Sequence, residues 1–142
     1  MLTVLEVQEY IFDKLEYNHL LDDKEFTSTV ISLAMDLAVS EFNLIPPIGN
    51  LTAAAFPNKS LLLSGTLYKL FQGKCAVLAR NHMSYSDGGI SVPVDEHFPL
   101  YQQLASMFQA DFQAGSRAYK TQMNYESGWG GVASDYGSFP AW

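Results

Sequence analysis

Between Asp23 and Asn43 the apolar residues fall into two helical series, and no other feature constrains the fold as strongly. One series is Phe26, Val30, Leu33 and Leu37; the other is Ile31, Met35, Ala38 and Phe42. Spacings of three and four lay each series along one side of a helix, so this segment asks for cover on two sides. A central bundle helix would find that cover in its own chain. A helix at a subunit boundary would take part of it from a neighbour. The stop is equally firm: in "LIPPIGN" the two prolines cannot continue the hydrogen-bond ladder and push the preceding residue toward extended geometry.

Three further helices are predicted around this one. Thr3 and Glu6 have capping-box spacing, followed by Val4, Val7, Ile11 and Leu15, which predicts a first helix over 4–16. Asp22 and Glu25 repeat that spacing and set the start of the second helix near residue 23. The third is predicted from Asn58 to His82, with Leu62, Leu63, Leu67, Leu70, Phe71, Ala76 and Leu78 inward. Gly65 and Gly73 interrupt it and mark places where another backbone comes close. The fourth starts near Asp95 or Glu96, with Pro99 suited to its first turn, and runs to about Asn124. Between the last two, Asp87-Gly88-Gly89 signals a tight turn and Ile90, Val92 and Val94 alternate, as in a short hairpin or extended loop. The fold class is therefore all-α: a four-helix bundle with a short extended or β-hairpin insertion between helices three and four and an extended C-terminal tail. It divides into a helical domain over 1–124 and a tail over 125–142.

Charge placement narrows the function. Residues 1–41 hold nine acids and two lysines, a net of −7, whereas residues 42–142 are neutral overall. No basic patch is left to hold nucleic acid. The apolar window 60–79 carries Lys69, Gln72 and Lys74 near its middle, which predicts a buried helix of a soluble protein instead of a membrane span. With a single cysteine, Cys75, no intrachain disulfide framework forms, and no secretory leader is recognised, so a reducing cytosol is expected. Chemistry is equally thin. His19, His82 and His97 lie in three separate segments with no local ligand pair. Cys75 has no histidine placed as a base and is expected to be a buried packing residue. The residues of "SYSDGG" are accounted for by a turn. No catalytic residue, cofactor or metal is predicted.

The C-terminal segment "GWGGVASDYGSFPAW" is the exception to a bland reading. Counting Tyr125, five aromatic rings lie in a stretch too rich in glycine for a regular element. Burial of a large ring contributes roughly 1.5–3 kcal/mol, so these rings are expected to find apolar cover on a partner or on their own bundle.

"EFNLIPPI", "ARNHMSYSDGGISVPVDEHFPLYQQLASMFQADFQ" and the trailing "GWGGVASDYGSFPAW" together resemble the head–tail connector (adaptor, or head-completion) proteins of tailed bacteriophages. The resemblance spans most of the chain, through architectural motifs. It implies a non-enzymatic virion protein that forms a homo-oligomeric ring, typically of twelve copies, beneath the portal. Such a ring extends the DNA channel, lets DNA pass without sequence-specific binding, and receives a downstream neck or tail protein. It implies no membrane partner. By the same resemblance Trp129, Tyr136, Phe139 and Trp142 would anchor the tail on the portal, and the loop at Tyr85, Asp87 and Gly88 would touch a neighbour or the tail. Twelve acidic N-terminal regions would carry about −84 around the ring, enough to keep DNA off a channel wall that they faced. Other readings are another neck or tail-completion protein, a cytosolic helical regulator with an aromatic docking tail, and a small hydrolase using Asp87 or His82.

Overall fold

The structure, a computed structural model, describes residues 1–14, 16–18, 23–81, 84–87, 90–93 and 97–129. The described chain is mostly helical: α1 (Val4–Tyr10), α2 (Ser28–Leu44), α3 (Lys59–Arg80) and α4 (His97–Trp129), with a short 3-10 turn at Ala53–Ala55. Two four-residue strands, β1 (Ser84–Asp87) and β2 (Ile90–Pro93), pair antiparallel with Ser84 opposite Pro93 and Asp87 opposite Ile90. The all-α class is thus observed. Helix α3 packs along both α2 and α4, and α1 packs on α2.

Helices α1, α2 and α3 each begin where a side chain satisfies otherwise orphaned N–H groups. In α1 the capping box is complete: the Thr3 hydroxyl accepts from the Glu6 N–H, and the Glu6 carboxylate accepts from the Thr3 N–H. Thr27 caps α2 by accepting from Val30 N–H, and Asn58 caps α3 by accepting from Leu61 N–H. Helix α2 ends at Leu44, just before the cis Pro46–Pro47 bond.

Glu6 also pairs with Lys59 of α3. The Lys59 ammonium, helped by the Thr3 N–H and hydroxyl, lowers the Glu6 carboxyl from 4.5 to about 2. A carboxyl depressed on folding stabilises the folded state above its ordinary value and loses that effect as pH falls toward the depressed one. Wild type is therefore expected to melt above Glu6→Gln at pH 6. The gap should close as pH falls from 4.5 toward 2, which differential scanning calorimetry measures.

The core lies where α2, α3 and α4 converge. Ile31, Phe42, Leu62, Leu67 and Phe112 are fully buried there. At Gly65 the packing leaves no room for a side chain: an added Cβ would sit 2.6 Å from the Phe112 ring and 2.9 Å from Ala38 Cβ. Aromatic rings fix both ends of the interface. Phe71 packs against Phe26, Tyr101 and Phe108 at 6.2, 5.8 and 5.9 Å between centroids. Phe42 packs against Phe56 and Tyr119 at 4.8 and 5.9 Å. Lys120 of α4 is buried, donates to the Pro47 carbonyl at 2.7 Å and lies 4.5 Å over the Phe42 ring. Burial lowers its pKa.

Several boundaries differ from the sequence expectation for identifiable reasons. Helix α1 ends at Tyr10 and not near 16, because Phe12 takes φ 54°, in the left-handed region that ends a right-handed helix. Helix α2 starts at Ser28 and not near 23, because the Asp13 carboxylate takes the backbone N–H groups of Glu25 and Phe26. Helix α4 runs to Trp129, past the expected end near Asn124, so its last turn includes Tyr125. Gly73 does not mark a close approach: nothing lies within 4 Å of an added Cβ. Ala76 is exposed and Cys75 only partly buried, against the inward and buried positions expected of them.

Candidate functional site

The two apolar series of α2 have different fates. Ile31, Met35, Ala38 and Phe42 are buried, and Phe26, which precedes the helix, is buried as well. Val30, Leu33 and Leu37 remain 46%, 58% and 48% exposed. They form one wall of a groove of about 280 Å³, whose other wall is Leu70, Gly73 and Val77 of α3. Gly73 leaves the groove open because it has no side chain to fill it.

Lysines mark the groove's rim. Lys69 pairs with Glu41 at 2.6 Å and Lys74 with Glu25 at 2.9 Å, and both lysines line the groove while neither carboxylate does. Burial disfavours the Lys69 ammonium, but the Glu41 carboxylate outweighs it and holds the pKa above the ordinary lysine value. The groove thus offers apolar walls and a rim of two lysines whose charges are already met by Glu41 and Glu25.

A second surface is built on the connector after α1. Asp13 is buried, and its carboxylate accepts from Glu25 N–H at 2.6 Å, Phe26 N–H at 2.8 Å and Asn18 Nδ2 at 2.7 Å. Gln8, also buried, donates to the Phe26 carbonyl at 3.2 Å and accepts from Lys24 at 3.2 Å. Held from beneath, the connector carries its aromatic rings outward: Tyr10, Phe12 and Tyr17 are 55%, 61% and 56% exposed. Phe12 and Tyr17 meet edge to face at 5.6 Å. Glu9 and Glu16 are exposed beside them.

Next to that connector lies a cavity of about 350 Å³ between Ile11, Phe26, Leu100 and Leu104. The Tyr101 hydroxyl donates to Glu25 at 2.6 Å, and burial together with that carboxylate raises its pKa. Glu25 is already engaged by Tyr101 and Lys74, and Asp13 by three N–H donors, so both carboxylates serve as structural acceptors.

The residues singled out from sequence are only partly placed. Trp129 is the last residue of α4, Tyr85 and Asp87 lie on β1, and Tyr136, Phe139, Trp142 and Gly88 lie outside the described residues. His97 opens α4 and borders the cavity; His19 and His82 lie outside the described residues. Among the described residues no cluster of three or more His, Cys, Asp or Glu could hold a metal, and no helix is long and apolar enough to cross a membrane. Sequence reasoning missed the exposed ring set of Tyr10, Phe12 and Tyr17, and the buried Ser116 and Lys120 of α4. Positions 112, 116, 119 and 120 continue one helical series, and that spacing was the available signal for the last two.

Compared with family models, curated proteins and solved structures, the chain matches none.

Proposed function

We propose that this chain is a structural head–tail connector of a tailed bacteriophage, acting as a ring-forming adaptor below the portal and carrying out no catalysis. In this reading its four helices make the connector bundle, the 84–93 segment is an insertion at a neighbour or tail contact, and the segment after α4 anchors on the portal. The ring surrounds the DNA channel in the virion neck and receives the downstream neck or tail protein. The observation that carries the reading is the exposed stripe of Val30, Leu33 and Leu37 on a helix whose other series is buried. A contiguous apolar stripe is what a subunit set between neighbours presents. The resemblance of the loop and tail motifs supplies the particular assembly.

The test is mass photometry of the full chain alone and mixed with portal, followed by electron microscopy of the mixture. A coaxial ring on the portal is expected. Deleting residues 130–142 should preserve the helical circular dichroism, because the four helices end at Trp129, yet abolish portal attachment. A deletion variant that unfolds would place the tail's cover on its own helices. A full-length chain that never joins the portal would refute the connector reading.

A further inference from the structure

Among the described residues Lys120 is the one buried lysine, 4% exposed, and no carboxylate there pairs with it. Lys59, Lys69 and Lys74 are less buried, and each has its carboxylate. The contrast is sharpest with Lys69. Burial disfavours both ammonium groups, but Glu41 reverses the effect at Lys69, whereas at Lys120 burial alone sets the direction. An ammonium carries three N–H donors. At Lys120 the Pro47 carbonyl accepts one at 2.7 Å and the Phe42 ring lies 4.5 Å away, and neither bears a negative charge. A lysine this deeply placed is rarely left without a counter-charge. The site is nonetheless shallow, because Pro46, Pro47 and Ile48 of the loop that it bonds are exposed.

We infer that Asp135 supplies the counter-charge, pairing with Lys120 of its own chain and pinning the start of the C-terminal segment beside α4. Asp135 is the one charged side chain of residues 130–142, which lie outside the described residues. The distances permit the pair. Lys120 lies nine positions before Trp129, where α4 ends, or about 14 Å back along the helix. Asp135 lies six positions beyond Trp129, and six extended residues span up to about 20 Å. Gly130 and Gly131 stand where the chain must reverse, at the positions where helices commonly end on a glycine. The inference rests on the tail reading and deepens it. Asp135 fixes the root of the segment and its direction of exit, and Tyr136, Phe139 and Trp142 beyond it remain for the portal.

A double-mutant cycle on the free full-length chain, read by urea denaturation, tests the pair. Asp135→Asn is expected to lower the folding equilibrium constant about tenfold in wild type and to leave it nearly unchanged in a Lys120→Met background. Equal effects in the two backgrounds, or none in either, would overturn the inference. Because Lys120→Met alters a buried position, carbodiimide coupling of the unmutated chain gives a second measurement. Peptide mass spectrometry should find an amide joining residues 120 and 135. In an equal mixture of nitrogen-14 and nitrogen-15 chains, each linked pair should carry one isotope. Mixed pairs would place Asp135 on another copy and overturn the inference, as would absence of the link. No portal enters either measurement, so the connector reading is tested apart: a chain that shows the pair and never joins the portal removes only that reading.

Discussion

Phe112→Ala is expected to lower stability by about 3–5 kcal/mol, a large share of the total for a domain of this size. The ring is fully buried between α3 and α4, and it lies against the bare backbone of Gly65. Its removal leaves a cavity that three packed helices close only in part. The same geometry predicts a non-additive pair. In wild type, Gly65→Ala gains about 1 kcal/mol of helix propensity but is overpacked, at a cost of about 1–3 kcal/mol. With Phe112 gone the 2.6 Å clash disappears, and only Ala38 Cβ at 2.9 Å still resists the new methyl. Gly65→Ala should therefore be destabilising in wild type and close to neutral in the Phe112→Ala background. A double-mutant cycle by urea denaturation measures this coupling. Additive effects would mean that Phe112 and Gly65 do not share the contact.

The helical class could be read from the sequence because it is set by local periodicity. The series Ile31, Met35, Ala38 and Phe42 and the caps Thr3 and Asn58 appear in the chain as they act in the fold. The ends of α1 and α2 could not be read, since both depend on the Asp13 carboxylate reaching residues twelve and thirteen positions away. Local spacing carries no information about such a bond, and the capping pattern at Asp22 and Glu25 competed with it and lost. Gly65 and Gly73 look alike in sequence; only tertiary packing makes one a crossing point and the other part of an open groove. The exposure of Val30, Leu33 and Leu37 was half visible. Two apolar series demanded two kinds of cover, and among the described residues one of the two is covered. Phe12 was hidden altogether, because nothing in its neighbours announces a left-handed backbone at a non-glycine residue.

Asp13→Ala is expected to destabilise the chain by about 2–4 kcal/mol and to loosen the connector that carries Phe12. The carboxylate is buried and receives three N–H donors, two of them from the backbone immediately before α2. Alanine leaves all three without that acceptor. Asn18 is partly exposed and can turn to water, but the Phe26 N–H lies in a buried setting and bears most of the cost. Asp13→Asn keeps one acceptor oxygen and places an N–H₂ where the other accepted, so its loss should fall between wild type and alanine. The perturbation should also be local. Helices α3 and α4 also meet through the Phe71–Phe108 stack and the Phe112–Gly65 contact, in neither of which a connector residue takes part. Amide exchange of residues 4–14 is thus expected to accelerate far more than that of α3. Uniform acceleration of exchange across all four helices would show that Asp13 supports the whole core and not the connector alone.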